Sequence, residues 1–179
     1  MYQFEKIQMY LTVFINCKTR KMKKAILILA IVGLSTVGAH AQSKPRMSIA
    51  ANIGVPTTSG YSFAYGADLQ ADFGVASTTF ITLSGGYEGY SWKGGGGSSG
   101  IIPLLAGAKF FFGEANKLYG HAQLGYAFYS KGGSGAFAYA PSLGYYVNPN
   151  FDIALKYLAS SKDQFTLGSL NVRFAYNFN

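Results

Sequence analysis

The sequence predicts an all-β chain: an eight-stranded antiparallel up-and-down transmembrane β-barrel, preceded by a cleavable signal peptide. Three observations predict it. The first is the final stretch, residues 165–178, which reads FTLGSLNVRFAYNF. Leu170, Val172, Phe174, Tyr176 and Phe178 fall on one face, and Ser169, Asn171, Arg173, Ala175 and Asn177 on the other. Alternation at period two marks a strand lying between unlike environments. The run is longer than the roughly 5–6 residues usual in soluble strands and long enough for the about 9–11 that a transmembrane strand needs. The second observation is that Gly-, Ser- or Asn/Pro-rich breaks recur along the chain while no stretch shows helical spacing. That is the rhythm of successive hairpins. The third is a secretory leader.

The leader occupies residues 22–41, MKKAILILAIVGLSTVGAHA. Lys23 and Lys24 form a charged n-region, 25–37 an apolar h-region, and Ala39-His40-Ala41 a small-x-small cleavage site, which makes Gln42 the expected first mature residue. The apolar run is shorter than the about 20 residues of a membrane-spanning helix. Residues 1–21 precede a signal with its own methionine, Met22, and read as a start placed too early or as an extended n-region. The single cysteine, Cys17, falls in this part, so the mature chain has no thiol. Within residues 1–41 as a whole lie six of the 15 basic residues (Lys6, Lys18, Arg20, Lys21, Lys23, Lys24) and one of the 7 acidic ones (Glu5). The mature net charge is therefore +3 (9 basic, 6 acidic) rather than +8, and a nucleic-acid partner loses its main support.

Residues 42–179 make one domain. The first strand, about 46–55, carries Met47, Ile49, Ala51, Ile53 and Val55 on its apolar face, and 56–60 turn the chain. In the second, about 61–73, Phe63, Tyr65, Leu69 and Phe73 oppose Asp68, Gln70 and Asp72. After a short turn at 74–77, the third, about 78–90, sets Ile81, Leu83 and Tyr87 against Thr82, Ser84 and Glu88. WKGGGGSSG (92–100) reads as a flexible loop, since glycines bring nothing to pack and the phosphate-loop pattern lacks its Lys-Ser/Thr and helix. The fourth strand, about 101–112, sets Ile102, Leu104, Phe110 and Phe112 against Lys109. Beyond the turn at 113–116, the fifth, about 117–129, sets Leu118, Leu124, Tyr126 and Phe128 against Tyr119, His121 and Gln123. The sixth, about 136–147, follows a turn at 131–135 and carries Phe137, Tyr139, Leu143, Tyr145 and Val147. The seventh, about 151–159, follows NPN (148–150) and sets Phe151, Ile153, Leu155 and Tyr157 against Asp152 and Lys156. Residues 160–164 lead to the closing strand. Pro103 and Pro141 interrupt two strands, and each predicts a bulge or a gap in the ladder. Connections at 56–60, 92–100, 131–135 and 160–164 read as longer than those at 74–77, 113–116 and 148–150. Longer outer loops and short periplasmic turns are the pattern of outer-membrane barrels.

Alternation alone leaves the inward face open, and three features favour apolar residues outside. One is the leader. Another is the placing of aromatics near strand ends, with Phe73, Phe110, Phe112, Phe151, Tyr176 and Phe178 toward one rim and Tyr87, Phe128, Phe137, Tyr157 and Phe165 toward the other. Two aromatic girdles flank the apolar band of a membrane barrel. The last is that only 12% of the chain is charged, too sparse for a water-facing wall. A soluble sandwich, or a lipocalin-like binding barrel with the polar face outward, is the competing fold.

The leader, the eight alternating strands and the terminal Phe174-x-Tyr176-x-Phe178 together resemble the small outer-membrane β-barrel proteins of Gram-negative bacteria, particularly the eight-stranded kind common in Bacteroidota. That resemblance implies an outer-membrane location, with membrane lipid and lipopolysaccharide as surroundings. It implies a C-terminal signal read by the barrel-assembly machinery, carried here by Phe174, Tyr176 and Phe178. Asn179 departs from the pattern, which usually ends on the aromatic.

Eight strands enclose an interior just wide enough for side chains, so a plugged lumen is expected. The inward ionisable groups are Asp68, Asp72, Glu88 and Asp152 against Lys109, Lys156 and Arg173, with His121. Their near balance predicts a salt-bridged interior that holds the barrel together, because buried charges must be paired. A hairpin centred near Lys162-Asp163 sets Asp152 opposite Arg173. His121 is the only mature histidine, and Asp72 and Asp152 are not adjacent to it by strand order, so no catalytic dyad is expected around it. No catalytic site, cofactor or metal site is expected, and the barrel is expected to be a monomer. Tyr90, Trp92, Lys93, Lys131 and Lys162 read as a basic, aromatic outer rim able to meet lipopolysaccharide phosphates. A narrow pore or transporter for small solutes is the rival function.

Overall fold

A computed structural model describes residues 44–113, 117–132, 135–163 and 165–178. The readings placed on residues 1–41 and on Asn179 lie outside the described residues. Eight antiparallel strands follow in chain order: β1 (Arg46–Pro56), β2 (Tyr61–Gly74), β3 (Thr79–Trp92), β4 (Ser98–Phe112), β5 (Leu118–Tyr129), β6 (Ala136–Asn148), β7 (Phe151–Lys162) and β8 (Phe165–Phe178). Each pairs with the next, and β8 closes on β1 from Met47↔Phe178 to Pro56↔Ser169. All eight strands are therefore paired on both sides, the arrangement by which a barrel satisfies its backbone without water.

The strands are staggered. Stepping across the ladders from Met47 passes Ala71, Leu83, Ala106, Leu124, Tyr139, Ala159 and Gly168. The Gly168 carbonyl accepts from the Thr57 N–H, ten residues along the chain from Met47. This shear obliges the strands to tilt, and it places each inward residue at a height that neighbouring strands alone do not reveal.

The strands extend further than the sequence predicts. Ser98, Ser99 and Gly100, expected in a flexible loop, pair with Ser91, Tyr90 and Gly89. Gly94, Gly95 and Gly96, at φ of +88°, +81° and +92°, make the remaining turn in a region that side chains disfavour. β7 runs to Lys162, which pairs with Phe165. The expected contrast between long and short connections largely disappears, because small polar residues serve a strand end as readily as a loop. Both proline expectations resolve as gaps. Around Pro103 the β3–β4 ladder breaks between Gly85↔Leu104 and Glu88↔Ile101. Around Pro141 the β6–β7 ladder breaks between Tyr139↔Ala159 and Ser142↔Lys156. Register resumes unchanged after each gap, while the bulges fall elsewhere, at Tyr61/Phe63 and Tyr146/Asn148.

The apolar faces point outward. Along β8, Phe174 is 36% and Phe178 50% exposed, whereas Asn171 is fully buried and Arg173 is 4% exposed. The same inversion holds for Leu69, Leu83, Leu104, Leu124, Leu143 and Leu155, all more than half exposed. A soluble barrel has the opposite arrangement. The lumen end at the start of β1 (Arg46) and the end of β8 (Phe178), the terminal end of the barrel strands, holds an aromatic cluster in which Phe111 packs on Tyr119 and Tyr146 and meets Phe80 edge-on. The far end holds an apolar cluster including Tyr90, Ile101, Leu105, Leu158 and Leu167.

Candidate functional site

Side-chain parity builds the site. Inward positions on β2 carry Asp68, Gln70 and Asp72; on β7, Asp152 and Lys156; on β8, Ser169, Asn171, Arg173 and Asn177. All eight ionisable groups expected inside, Asp68, Asp72, Glu88, Lys109, His121, Asp152, Lys156 and Arg173, are buried in the lumen, none more than 7% exposed.

They form three groups. At the centre, Arg173 donates to Asp68 from Nη2 at 2.8 Å and from Nε at 3.2 and 3.3 Å. Lys156 Nζ reaches the same carboxylate at 3.2 Å, and Asn52 Nδ2 donates to it at 2.9 Å. Toward the terminal end, Lys109 pairs with Asp72 at 2.5 Å and lies 4.8 Å from the centroid of the Tyr119 ring. Gln70 donates to the other Asp72 oxygen, and His121 Nε2 shares a 2.8 Å hydrogen bond with the Thr82 hydroxyl. Toward the far end, Glu88 Oε1 accepts from Ser169 at 2.5 Å and from Asn171 at 2.7 Å.

The expected Asp152–Arg173 contact exists but is secondary. Its separation is 3.6 Å, and the better partner of Arg173 is Asp68. The two are not directly opposite, since Asp152 pairs with Ala175 and Arg173 with Ala154. The hairpin is centred one residue later than expected, which displaces cross-strand partners by two. Asp152 is instead held by the Tyr119 hydroxyl at 2.6 Å and Asn177 at 2.8 Å. Tyr119 lies over Gly144, where a Cβ would overlap its ring.

Asn52, Tyr119, Ser169, Asn171 and Asn177 complete the network and were not among the candidates chosen from sequence. Their parity was legible; their partners across the lumen were not. Tyr90 is a correction. Expected at the rim, it is fully buried and bonds Ser169 at 3.3 Å, because its parity on β3 matches that of Glu88. Trp92 is half exposed against Tyr61 at the far rim, and Lys93 and Lys131 are exposed there.

The aromatics proposed for the membrane interfaces, Phe73, Tyr87, Phe110, Phe112, Phe128, Phe137, Phe151, Tyr157 and Phe165, all lie on the outer wall. So do Phe174, Tyr176 and Phe178. Phe63, Tyr65, Tyr126 and Tyr139 extend the far group through ring contacts of 6.2 Å (Phe63–Tyr65), 5.1 Å (Tyr126–Phe128) and 6.1 Å (Tyr139–Tyr157). Their spacing at i, i+2 is the signal that would have found them. A concavity of about 490 Å³ opens on the outer wall rather than in the lumen, between Met47, Leu69, Leu83, Leu104 and Leu124. It presents apolar surface and no reactive group. Among the described residues no three His, Cys, Asp or Glu side chains converge to hold a metal ion.

No family model matches the chain, and no curated relative does. Solved structures do. The chain is similar to Ail, the attachment invasion locus protein of Yersinia pestis, at 18% identity and TM-score 0.54, covering 75% of this chain and 97% of that one. It is similar to Neisserial surface protein A at 17% identity and TM-score 0.53, covering 76% and 98%. The N-terminal β-barrel domain of Pseudomonas aeruginosa OprF gives 15% identity and TM-score 0.53, covering 75% and 100%. At such identities the likeness is one of fold. The fold is that of the small eight-stranded outer-membrane β-barrels.

Proposed function

We propose that this chain is a small integral outer-membrane barrel with a plugged lumen, acting structurally or through its outer rim, without catalysis. The observation that carries the reading is the inversion of its faces. An apolar outer wall would be ruinous in water, where contiguous exposed apolar patches are kept small, and is what a bilayer requires. The filled lumen argues for a structural role: aromatic rings close one end, an ion-paired network fills the middle, and apolar side chains fill the far end. A conducting pathway needs a continuous polar route, and the far cluster of Ile101, Leu105, Leu158 and Leu167 interrupts one.

Membrane lipid and the barrel-assembly machinery are the partners this reading implies, the latter through Phe174, Tyr176 and Phe178. Kinship with the Bacteroidota kind of these barrels is part of the same proposal and is supported by the leader, the eight alternating strands and the terminal motif together. A structure of Ail contains the heparin analogue sucrose octasulfate. On this chain, exposed Lys93 and Lys131, at the same rim as Trp92, suit the anionic headgroups of lipopolysaccharide by charge attraction. The connections carrying them are too short to build a large binding surface.

Purified barrel in planar bilayers and in liposome swelling tests the reading. No solute-permeable conductance is expected for the wild type. Steady single-channel conductance would replace the structural role by that of a pore. Extraction from membranes without detergent would remove the membrane reading altogether.

A further inference from the structure

The outer wall is not evenly covered. β2, β3 and β4 each carry the same outward pair, a leucine followed two residues later by a small residue: Leu69 and Ala71, Leu83 and Gly85, Leu104 and Ala106. Because neighbouring strands run antiparallel, the repeat sets every leucine beside a small residue. Gly85 lies between Leu69 and Leu104 in one row, and Leu83 lies between Ala71 and Ala106 in the next. Ala71, Gly85 and Ala106 therefore meet along diagonals and make a low strip across three strands.

That strip is the floor of the 490 Å³ concavity, and Met47, Leu69, Leu83, Leu104 and Leu124 stand around it. The four leucines are each more than half exposed. Leu104 leans over Gly85, where a Cβ would stand 3.0 Å from its Cδ2. Gln70 and Ser84 border the floor from behind, with their side chains engaged in the lumen, where Gln70 donates to Asp72 and Ser84 accepts from Gln123. No charged residue lines the hollow.

We propose that this groove holds one acyl chain of a phospholipid in a fixed position, so that the barrel carries a bound lipid distinct from those merely surrounding it. The proposal rests on the membrane reading above, because the groove is continuous with the wall that faces hydrocarbon. In lipid the hydrophobic effect gives no preference between apolar partners, and association follows van der Waals fit, which small residues improve by letting a partner come close. A second copy of the barrel fits worse. A two-fold interface apposes the same patch on both subunits, which here sets hollow against hollow. A flexible chain can lie on the floor between the leucines. Ala71 and Gly85 lie in the halves of β2 and β3 nearer the terminal end, away from the rim of Lys93 and Lys131. With that rim turned to lipopolysaccharide, the groove lies toward the phospholipid leaflet.

The test refolds the full barrel in vesicles of phosphatidylethanolamine containing lipopolysaccharide, releases it into mild detergent and weighs the folded protein intact by native mass spectrometry. The wild type is expected to retain one phosphatidylethanolamine per barrel. Ala71→Phe with Ala106→Phe, which fills the floor from the lipid side, is expected to lose it. Leu83→Ala, which removes part of the surround without filling anything, is expected to reduce retention as well. Ala51→Phe, the same change on the outer wall outside the groove, is expected to keep the lipid. A lipid-free wild type, or retention unchanged in both groove variants, would overturn the proposal. Retained lipopolysaccharide in place of phospholipid, or a two-barrel mass that the filling substitutions abolish, would overturn it by assigning another occupant. In each of these cases the barrel still needs detergent, so the membrane reading stands. A barrel that leaves the vesicles without detergent would overturn that reading, and the lipid site with it.

Discussion

Arg173 shows what a single side chain does in this lumen. Its guanidinium joins Asp68 on β2 to Asp152 on β7, with hydrogen bonds to the first and an ion pair to the second. Planar, always charged and rich in donors, an arginine can hold two carboxylates in a way a point charge cannot. Replacing it with methionine preserves much of the bulk and leaves two buried carboxylates short of a cation. Breaking a buried pair in this way costs about 3–5 kcal/mol. Arg173→Met is therefore expected to lower the unfolding midpoint strongly in detergent or vesicle melts. Asp152→Asn, which removes the weaker partner while Tyr119 and Asn177 remain, is expected to lower it much less. At this scale the sequence revealed orientation and hid partnership. Parity placed Asp68 and Arg173 on the inner wall, but their contact spans 105 residues of chain and two strands of barrel. Only the shear brings them to one height.

Each hairpin sets the register of everything along its strands. At the β7–β8 turn Asp163 takes φ of +50°, a left-handed conformation that costs most L-residues about 1–2 kcal/mol and that Asp tolerates better than branched residues do. Asp163→Val is expected to destabilise the folded barrel by about 1–2 kcal/mol in the same melts. Asp163→Gly is expected to be neutral or slightly stabilising, since Gly has no Cβ to strain. Equal effects of the two substitutions would contradict the assigned turn. Strand number, order and facing were legible because alternation persists through long segments such as 61–73 and 165–178. Strand ends were not, because Ser98, Ser99, Ser160 and Ser161 suit a ladder or a loop equally. A misplacement of one residue at 162–164 was enough to move the expected partner of Arg173 by two.

For the whole molecule, the arrangement is a packed interior turned inside out. Charges and amides are gathered inside the barrel, while most leucines, isoleucines and phenylalanines face outward and the remaining apolar side chains cap the two ends of the lumen. Closure of β8 on β1 removes the edge that would otherwise expose unpaired backbone to lipid. The function read from this arrangement depends on one premise, that the outer wall meets hydrocarbon. Spin labels test it most directly, because Cys17 is the only cysteine and lies outside the barrel strands. Single cysteines introduced at successive positions from Leu170 to Phe174 would be labelled and the barrel reconstituted in vesicles. Collision rates with molecular oxygen, which concentrates in lipid, and with a water-soluble nickel chelate would then be read by electron paramagnetic resonance. High oxygen accessibility is expected at 170, 172 and 174, with both rates low at 171 and 173. Nickel access at 170, 172 and 174 with no oxygen preference would place the leucine face in water and contradict the account.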